Sequence, residues 1–333
     1  PVPIEAMSVT KSVVNLAIGR LFTEGLVSSL DQPVHAYFPE WRQGRKQDIT
    51  LRHLLAHTSG IQNVRNTNVE IYPSPDFVRL ALAAELEHAP GEHFAYNNKT
   101  LNLIPAIVKQ LTGQRIDDWL REGLFAEMGI THFTWSLDEA GNAHGMSGLQ
   151  ILPADLAKLG QLMLQGGQWE GRQLISPEWI EQSLQAAHPS APNSGLLWWR
   201  IAGRTRFHLD QAQIDALSEA GVEPAFIARL APLMGVHESQ ADFTARLAEV
   251  LGDDWSDTLR ESMAPAQSRG LSLSRREFLD WKGYAGRGYL GQYLVVYPDR
   301  DLVAVRMITA DRHRYEDGRN FPAFEAMVDA LLP

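Results

Sequence analysis

Ser8 and Lys11, separated by Val9 and Thr10, set a hydroxyl and an amine at i and i+3, neighbours on one face of a helix. A serine hydroxyl is a poor nucleophile until an adjacent base takes its proton. Lysine is that base only when neutral near pH 7, which requires its pKa to fall by about 3 units, roughly 4 kcal/mol. Burial supplies such a penalty on the charged form. Val9, Val13, Leu16, Ala17, Ile18, Leu21 and Phe22 cover much of the helix that would carry the pair, so that helix reads as largely buried. The spacing is weak on its own, because chance places about a third of one such pair in a chain of this composition.

Two further segments have chemical potential. Tyr96-Asn97-Asn98 follows a Pro90-Gly91 turn. A phenol with a pKa of about 10 can move protons when a nearby ammonium favours its phenolate, and Asn98 could orient Lys11 or a substrate carbonyl. An exposed loop tyrosine is the plain alternative. Gly286-Arg287-Gly288-Tyr289-Leu290-Gly291-Gln292 opens a hairpin. Glycines on an edge strand let a substrate approach the backbone closely, and an N–H there, with that of Ser8, would make an oxyanion hole. Arg287, Gly288 and Tyr289 are the candidate substrate contacts, with a glycine-rich bend devoid of chemistry as the alternative. Ser147 is a weaker nucleophile: Gly145-Met146-Ser147-Gly148 is half of a Gly-x-Ser-x-Gly elbow, but Leu149 replaces the second glycine.

The elements that must position these groups are legible in outline. A helix runs from Ser8 to a stop at Gly25. Thr50 caps a short helix that closes on the turn Thr58-Ser59-Gly60. Periodicity predicts helices over 76–87, 100–111 and 153–165. Residues 205–265 are acidic, with helical patterns at 213–220, 224–233 and 242–251, and read as an inserted helical lobe. That lobe would either line the pocket as a lid or serve as an oligomer contact. β-rich runs at 291–297 and 301–309, split by Pro298-Asp299-Arg300, predict a hairpin, and a last amphipathic helix covers 322–332. The expected organisation is a mainly helical region at 1–204, the lobe at 205–265, and a hairpin and helix at 266–333. This is an α+β fold, an antiparallel sheet flanked by helices.

Composition removes several function classes. The net charge of −10 and pI near 5.6 argue against a nucleic-acid partner, which needs clustered Lys and Arg. No stretch approaches the roughly 18 apolar residues that cross a bilayer as a helix. With no cysteine, disulfides and thiolate chemistry are excluded. The histidines are scattered and make no HExxH, so no metal and no cofactor is expected.

Together, Ser8-Val9-Thr10-Lys11-Ser12, Leu54-Leu55-Ala56-His57-Thr58-Ser59-Gly60 and Tyr96-Asn97-Asn98 resemble, in order and spacing, the serine β-lactamase-related superfamily. Its branches include class C β-lactamases, D-Ala-D-Ala carboxypeptidases, family VIII esterases and 6-aminohexanoate oligomer hydrolases. Pro153–Gly160, Trp198-Trp199 and Gly291-Gln292-Tyr293-Leu294-Val295-Val296-Tyr297-Pro298 extend the resemblance over nearly the whole chain outside 205–265. It implies a β-lactamase/transpeptidase-like fold and an acyl-enzyme on Ser8, with Lys11 and Tyr96 sharing proton transfer and Asn98 touching substrate or holding Lys11. His57 would be structural. The resemblance also slightly favours an extracytoplasmic location and a small ester, amide or lactam as substrate, with a non-hydrolysing sensor as the remaining alternative.

Two departures narrow this expectation. The Lys-Thr-Gly strand that meets a lactam carboxylate is absent: the nearest text is Lys282-Gly283-Tyr284 and then Gly286-Arg287-Gly288. That favours esters or amides without the carboxylate. The fold also normally has strands ahead of the nucleophile, whereas seven residues precede Ser8; upstream sequence beyond Pro1, or a sheet short of strands, is therefore expected.

Overall fold

In a computed structural model, residues 2–64, 66–313 and 320–331 are described, the side chain of Ser268 excepted. The chain divides into two compact units, one formed by Pro1–Ile201 with Gly283–Pro333 and the other by Ala202–Lys282.

The first unit holds the residues of chemical interest. Strand Ile4–Glu5 pairs antiparallel with Leu149–Ile151, which pairs in turn with Phe133–Trp135. The chain then makes a 3-10 turn, Met7–Val9, before the helix Thr10–Thr23. Apolar residues on nearly every side of this helix dictate its place: Val13, Val14, Leu16, Ala17, Ile18 and Leu21 are all buried. Gly25, at φ +74°, ends it as expected. Asn15 is the polar exception, and it is fully used. Its amide donates to Ser183 Oγ and to the Leu196 carbonyl, and its Oδ1 accepts from the indoles of Trp179 and Trp198. A buried amide this well satisfied costs little and fixes a unique arrangement.

The expected hairpin is present. Gln292–Tyr297 and Leu302–Arg306 pair antiparallel around the turn Pro298–Arg300. On the other side, Tyr284↔Val296 through Gly288↔Gln292 join the end of strand Arg275–Gly288 to the hairpin. The run Tyr293-Leu294-Val295-Val296-Tyr297 is apolar throughout because both faces are covered. Leu294 and Val296 enter the main core, where Leu294 and Val303 lie against Gly160 of helix Pro153–Leu164. Tyr293, Val295 and Tyr297 join Ile201, Ala285 and Val328 of helix Phe324–Ala330 on the opposite face. That alternation is the two-residue period of a strand. The last helix is shorter than the expected 322–332, and Leu332 lies outside the described residues.

The second unit pairs Phe207–Leu209 with Gly235–His237 and carries helices Gln211–Glu219, Pro224–Arg229, Gln240–Leu251 and Trp255–Ser262. Its separate core includes Leu217, Phe226, Leu230, Phe243 and Leu247. It is wider than the 205–265 read from helical pattern, because strand residues at both ends belong to it. Those stretches carry Arg204 and Arg206 on one side and Arg275, Arg276, Glu277, Asp280 and Lys282 on the other. So charged a text has no apolar strand signature. Among the described residues, no helix is long and apolar enough to cross a membrane.

Candidate active site

Ser8 lies in the 3-10 turn at the mouth of the helix rather than in the helix itself. The residue before it, Met7, has φ +50°, a left-handed conformation that side chains other than glycine adopt at a cost of about 1–3 kcal/mol. Lys11, one turn on, is 3% exposed. Its Nζ lies 2.8 Å from Ser8 Oγ and donates to the Met146 carbonyl at 2.6 Å. Burial holds the Lys11 pKa well below the usual lysine value. Both neighbours are neutral oxygens, so no opposite charge in these contacts offsets the desolvation of an ammonium.

Tyr96 reaches the same point from another part of the chain. It shares a hydrogen bond with Ser8, and burial, partly offset by that bond, pushes its phenol up to about 12. Lys11 Nζ is 4.9 Å from the centre of the Tyr96 ring. The loop that carries Tyr96 is fastened at several points. Asn63 Nδ2 donates to the Tyr96 carbonyl at 3.0 Å, and the Asn97 amide donates to the Ile61 carbonyl while its Oδ1 caps the next helix at Thr100 N. Lys99, buried, donates to the Gln62 carbonyl and forms an ion pair with Glu70.

His57 belongs to that scaffold. Its Nδ1 accepts the Asn97 N–H at 3.1 Å, its carbonyl accepts the Ala95 N–H at 2.9 Å, and its ring centre is 4.6 Å from that of Tyr96. Burial first, and then the Lys11 charge, pull its pKa down to about 3; the ring is therefore neutral at neutral pH, with Nδ1 able to accept. These bonds tie His57 to the loop that carries Tyr96. The turn that follows depends on Gly60, which has φ +73° and whose Cα faces the His88 carbonyl so closely that a Cβ would lie 2.2 Å from the oxygen. Gly60→Ala is expected to cost about 2–4 kcal/mol through left-handed strain plus overpacking. A shifted midpoint in urea unfolding checks this; an unchanged midpoint contradicts it.

Ser8, Lys11, Tyr96, Leu197, Trp199 and Arg287 line a solvent-open cleft of about 270 Å³. The Trp199 ring runs nearly parallel to that of Tyr96, with centres 6.1 Å apart, and the Arg287 guanidinium is 6.0 Å from the Trp199 ring. Arg287 is bound by Glu325 through both carboxylate oxygens, at 2.7 and 2.9 Å. Leu197, like His57 and Met7, has a left-handed backbone (φ +60°).

The other expected contacts are placed differently. Gly286 and Gly288 turn their Cα hydrogens toward the nucleophile turn: a Cβ on Gly286 would meet Ser12 Oγ at 2.8 Å, and one on Gly288 would meet the Ala6 carbonyl at 2.7 Å. Their small size lets the strand lie directly against the Ser8 segment. Gly288 and Tyr289 are not among the cleft-lining residues. Asn98 Oδ1 is buried without a hydrogen-bond partner, and the hydrogen bonds of Lys11 go to Ser8 and Met146. Ser147 bonds to the Tyr72 hydroxyl at 3.2 Å, while its neighbour Met146 contributes a main-chain oxygen that no side-chain reading could find. Ser12, His57, Ser194 and Trp198 also line the cleft; in the sequence, Trp198-Trp199 stands out only through the resemblance.

Comparison with known proteins gives a consistent picture. Protein flp of Staphylococcus aureus (strain MRSA252) is 29% identical over 157 residues, which is 44% of this chain and 31% of that protein. The chain thus spans less than a third of the length of this curated relative. A Bacillus anthracis structure provisionally named a 6-aminohexanoate-dimer hydrolase superposes with TM-score 0.64 at 16% identity, covering 99% of this chain and 71% of the other. A penicillin binding protein from Bacillus halodurans gives 0.58 at 14%, covering 99% and 87%. At such identities the likeness is one of fold. The Beta-lactamase family model matches residues 3–326, all but the two ends, and the protein belongs to that family.

Proposed function

We propose that the protein is a serine hydrolase acting through an acyl-enzyme on Ser8, an esterase or amidase for small substrates. The observation that carries this reading is the buried Lys11 amine 2.8 Å from Ser8 Oγ, with a depressed pKa. Deprotonated, its lone pair accepts the serine proton as Oγ attacks the substrate carbonyl. A phenol with a pKa of about 12 is protonated at neutral pH, which favours Lys11 as base and Tyr96 as the donor to the leaving group. Tyr96 is then reprotonated from Lys11. The first half-reaction yields acyl-Ser8 and the protonated alcohol or amine; water then releases the carboxylic acid and regenerates the hydroxyl. The Ser8 N–H and a main-chain N–H of the adjacent 286–288 segment are the proposed oxyanion donors. Arg287 is already matched by Glu325, which favours esters and amides over lactams that need a cation for their carboxylate.

The test pairs a chromogenic butanoate ester with a chromogenic cephalosporin and follows turnover and intact protein mass. The expected result is ester turnover with a transient one-to-one acyl adduct on the peptide containing Ser8. Preferential cephalosporin turnover would favour the β-lactamase or peptidase branch. A stable adduct without turnover would mark a sensor.

A further inference from the structure

We propose that Glu325 sets the substrate class of the cleft by occupying Arg287, turning away acyl groups that bear a carboxylate and admitting neutral ones; this rests on the ester or amide reading above. Arg287 lines the cleft beside Ser8, Lys11 and Tyr96. A guanidinium there would be expected to recruit anionic substrates, since its planar fork matches a carboxylate at two points. Glu325 already makes that match with both oxygens. The pair is only partly exposed, at 35% for Arg287 and 19% for Glu325, so solvent screens it incompletely. An incoming carboxylate must displace Glu325 or lie close to its negative charge.

The packing keeps Glu325 in place. It lies in the first turn of helix Phe324–Ala330, and the preceding Phe324 packs at 5.1 Å on Tyr293, the residue paired with Arg287 across the strands. Arg306, which also acts on Tyr293, donates to the Leu290 and Gly291 carbonyls, lies over the Phe321 ring, and does not line the cleft. Arg287 is therefore the cation whose availability Glu325 controls.

The experiment compares two 4-nitrophenyl esters of equal acyl length, pentanoate and the glutarate half-ester, on wild type, Glu325→Gln, Glu325→Asp and the double variant Arg287→Gln/Glu325→Gln. The readout is the ratio of kcat/KM, glutarate over pentanoate, with both esters measured on one sample so that losses of folded protein cancel. Glu325→Gln is expected to raise this ratio at least 10-fold, mainly through KM, and the double variant to return it to near the wild-type value. Glu325→Asp retains the charge on a shorter arm, is the milder change for folding, and is expected to raise the ratio less. The proposal is overturned if neither single variant raises the ratio, or if the double variant raises it as much as Glu325→Gln. Failure of the underlying reading looks different: wild type would not hydrolyse the neutral pentanoate, or would do so without Ser8.

Discussion

Ser8→Ala is expected to lower kcat for a short-chain aryl ester by about 10⁴-fold or more, with little change in stability. Removing a nucleophile eliminates the covalent route and leaves only what binding and the remaining polar groups supply. The Oγ that is lost has Lys11 and Tyr96 as partners. The variant should therefore melt within a few degrees of wild type and show no acyl adduct by mass. Ester turnover within 10-fold of wild type would remove Ser8 from the mechanism.

Lys11→Met is the second large effect, expected to lower kcat/KM by about 10³-fold or more and, unlike most active-site changes, to increase stability near neutral pH. Methionine nearly fills the lysine volume without a charge to desolvate. The sign follows from proton linkage. In the unfolded chain Lys11 titrates near 10.4, whereas burial lowers its folded pKa well below that. Between the two values the unfolded state holds the extra proton, so wild-type stability rises with pH across that window and is lowest below it. The methionine variant lacks this slope. Thermal melts at pH 7 and at pH 9.5–10 should show its advantage shrinking as pH rises; parallel curves would mean that Lys11 is charged and matched in the folded protein.

What the sequence revealed and what it concealed divide along physical lines. The Ser8–Lys11 spacing, the Thr50 cap, the Gly25 stop and the hairpin turn at 298–300 are local devices, so residue type specifies them. The Thr50 cap is made in full, with His53 N–H donating to Thr50 Oγ1 and the Thr50 N–H returned to His53 Nδ1. Contacts made across the fold were not legible. The Met146 carbonyl on Lys11 is a main-chain atom 135 residues away, and the Glu325 partner of Arg287 sits in a helix whose text announces only amphipathicity. The left-handed backbone at Met7, His57 and Leu197 had no glycine to announce it. Such strain is held by surroundings that sequence patterns do not encode. That Gly286 and Gly288 also make room for the nucleophile's own segment is visible only in the packing.

The Asn15 cluster has a consequence for synthesis on the ribosome. Its tryptophan partner at position 198 lies 183 residues further along the chain, and the strand that abuts Ser12 and Ala6 comes later still. At translation rates of about 5–20 residues per second, roughly 10 seconds or more separate the emergence of the helix from that of the residues that bury it. During that interval a segment apolar on nearly every side, with an unmatched amide and amine, has no native partner. Growing chains halted before residue 180 should therefore engage holding chaperones through residues 9–22, and release them once residues beyond 288 have left the exit tunnel.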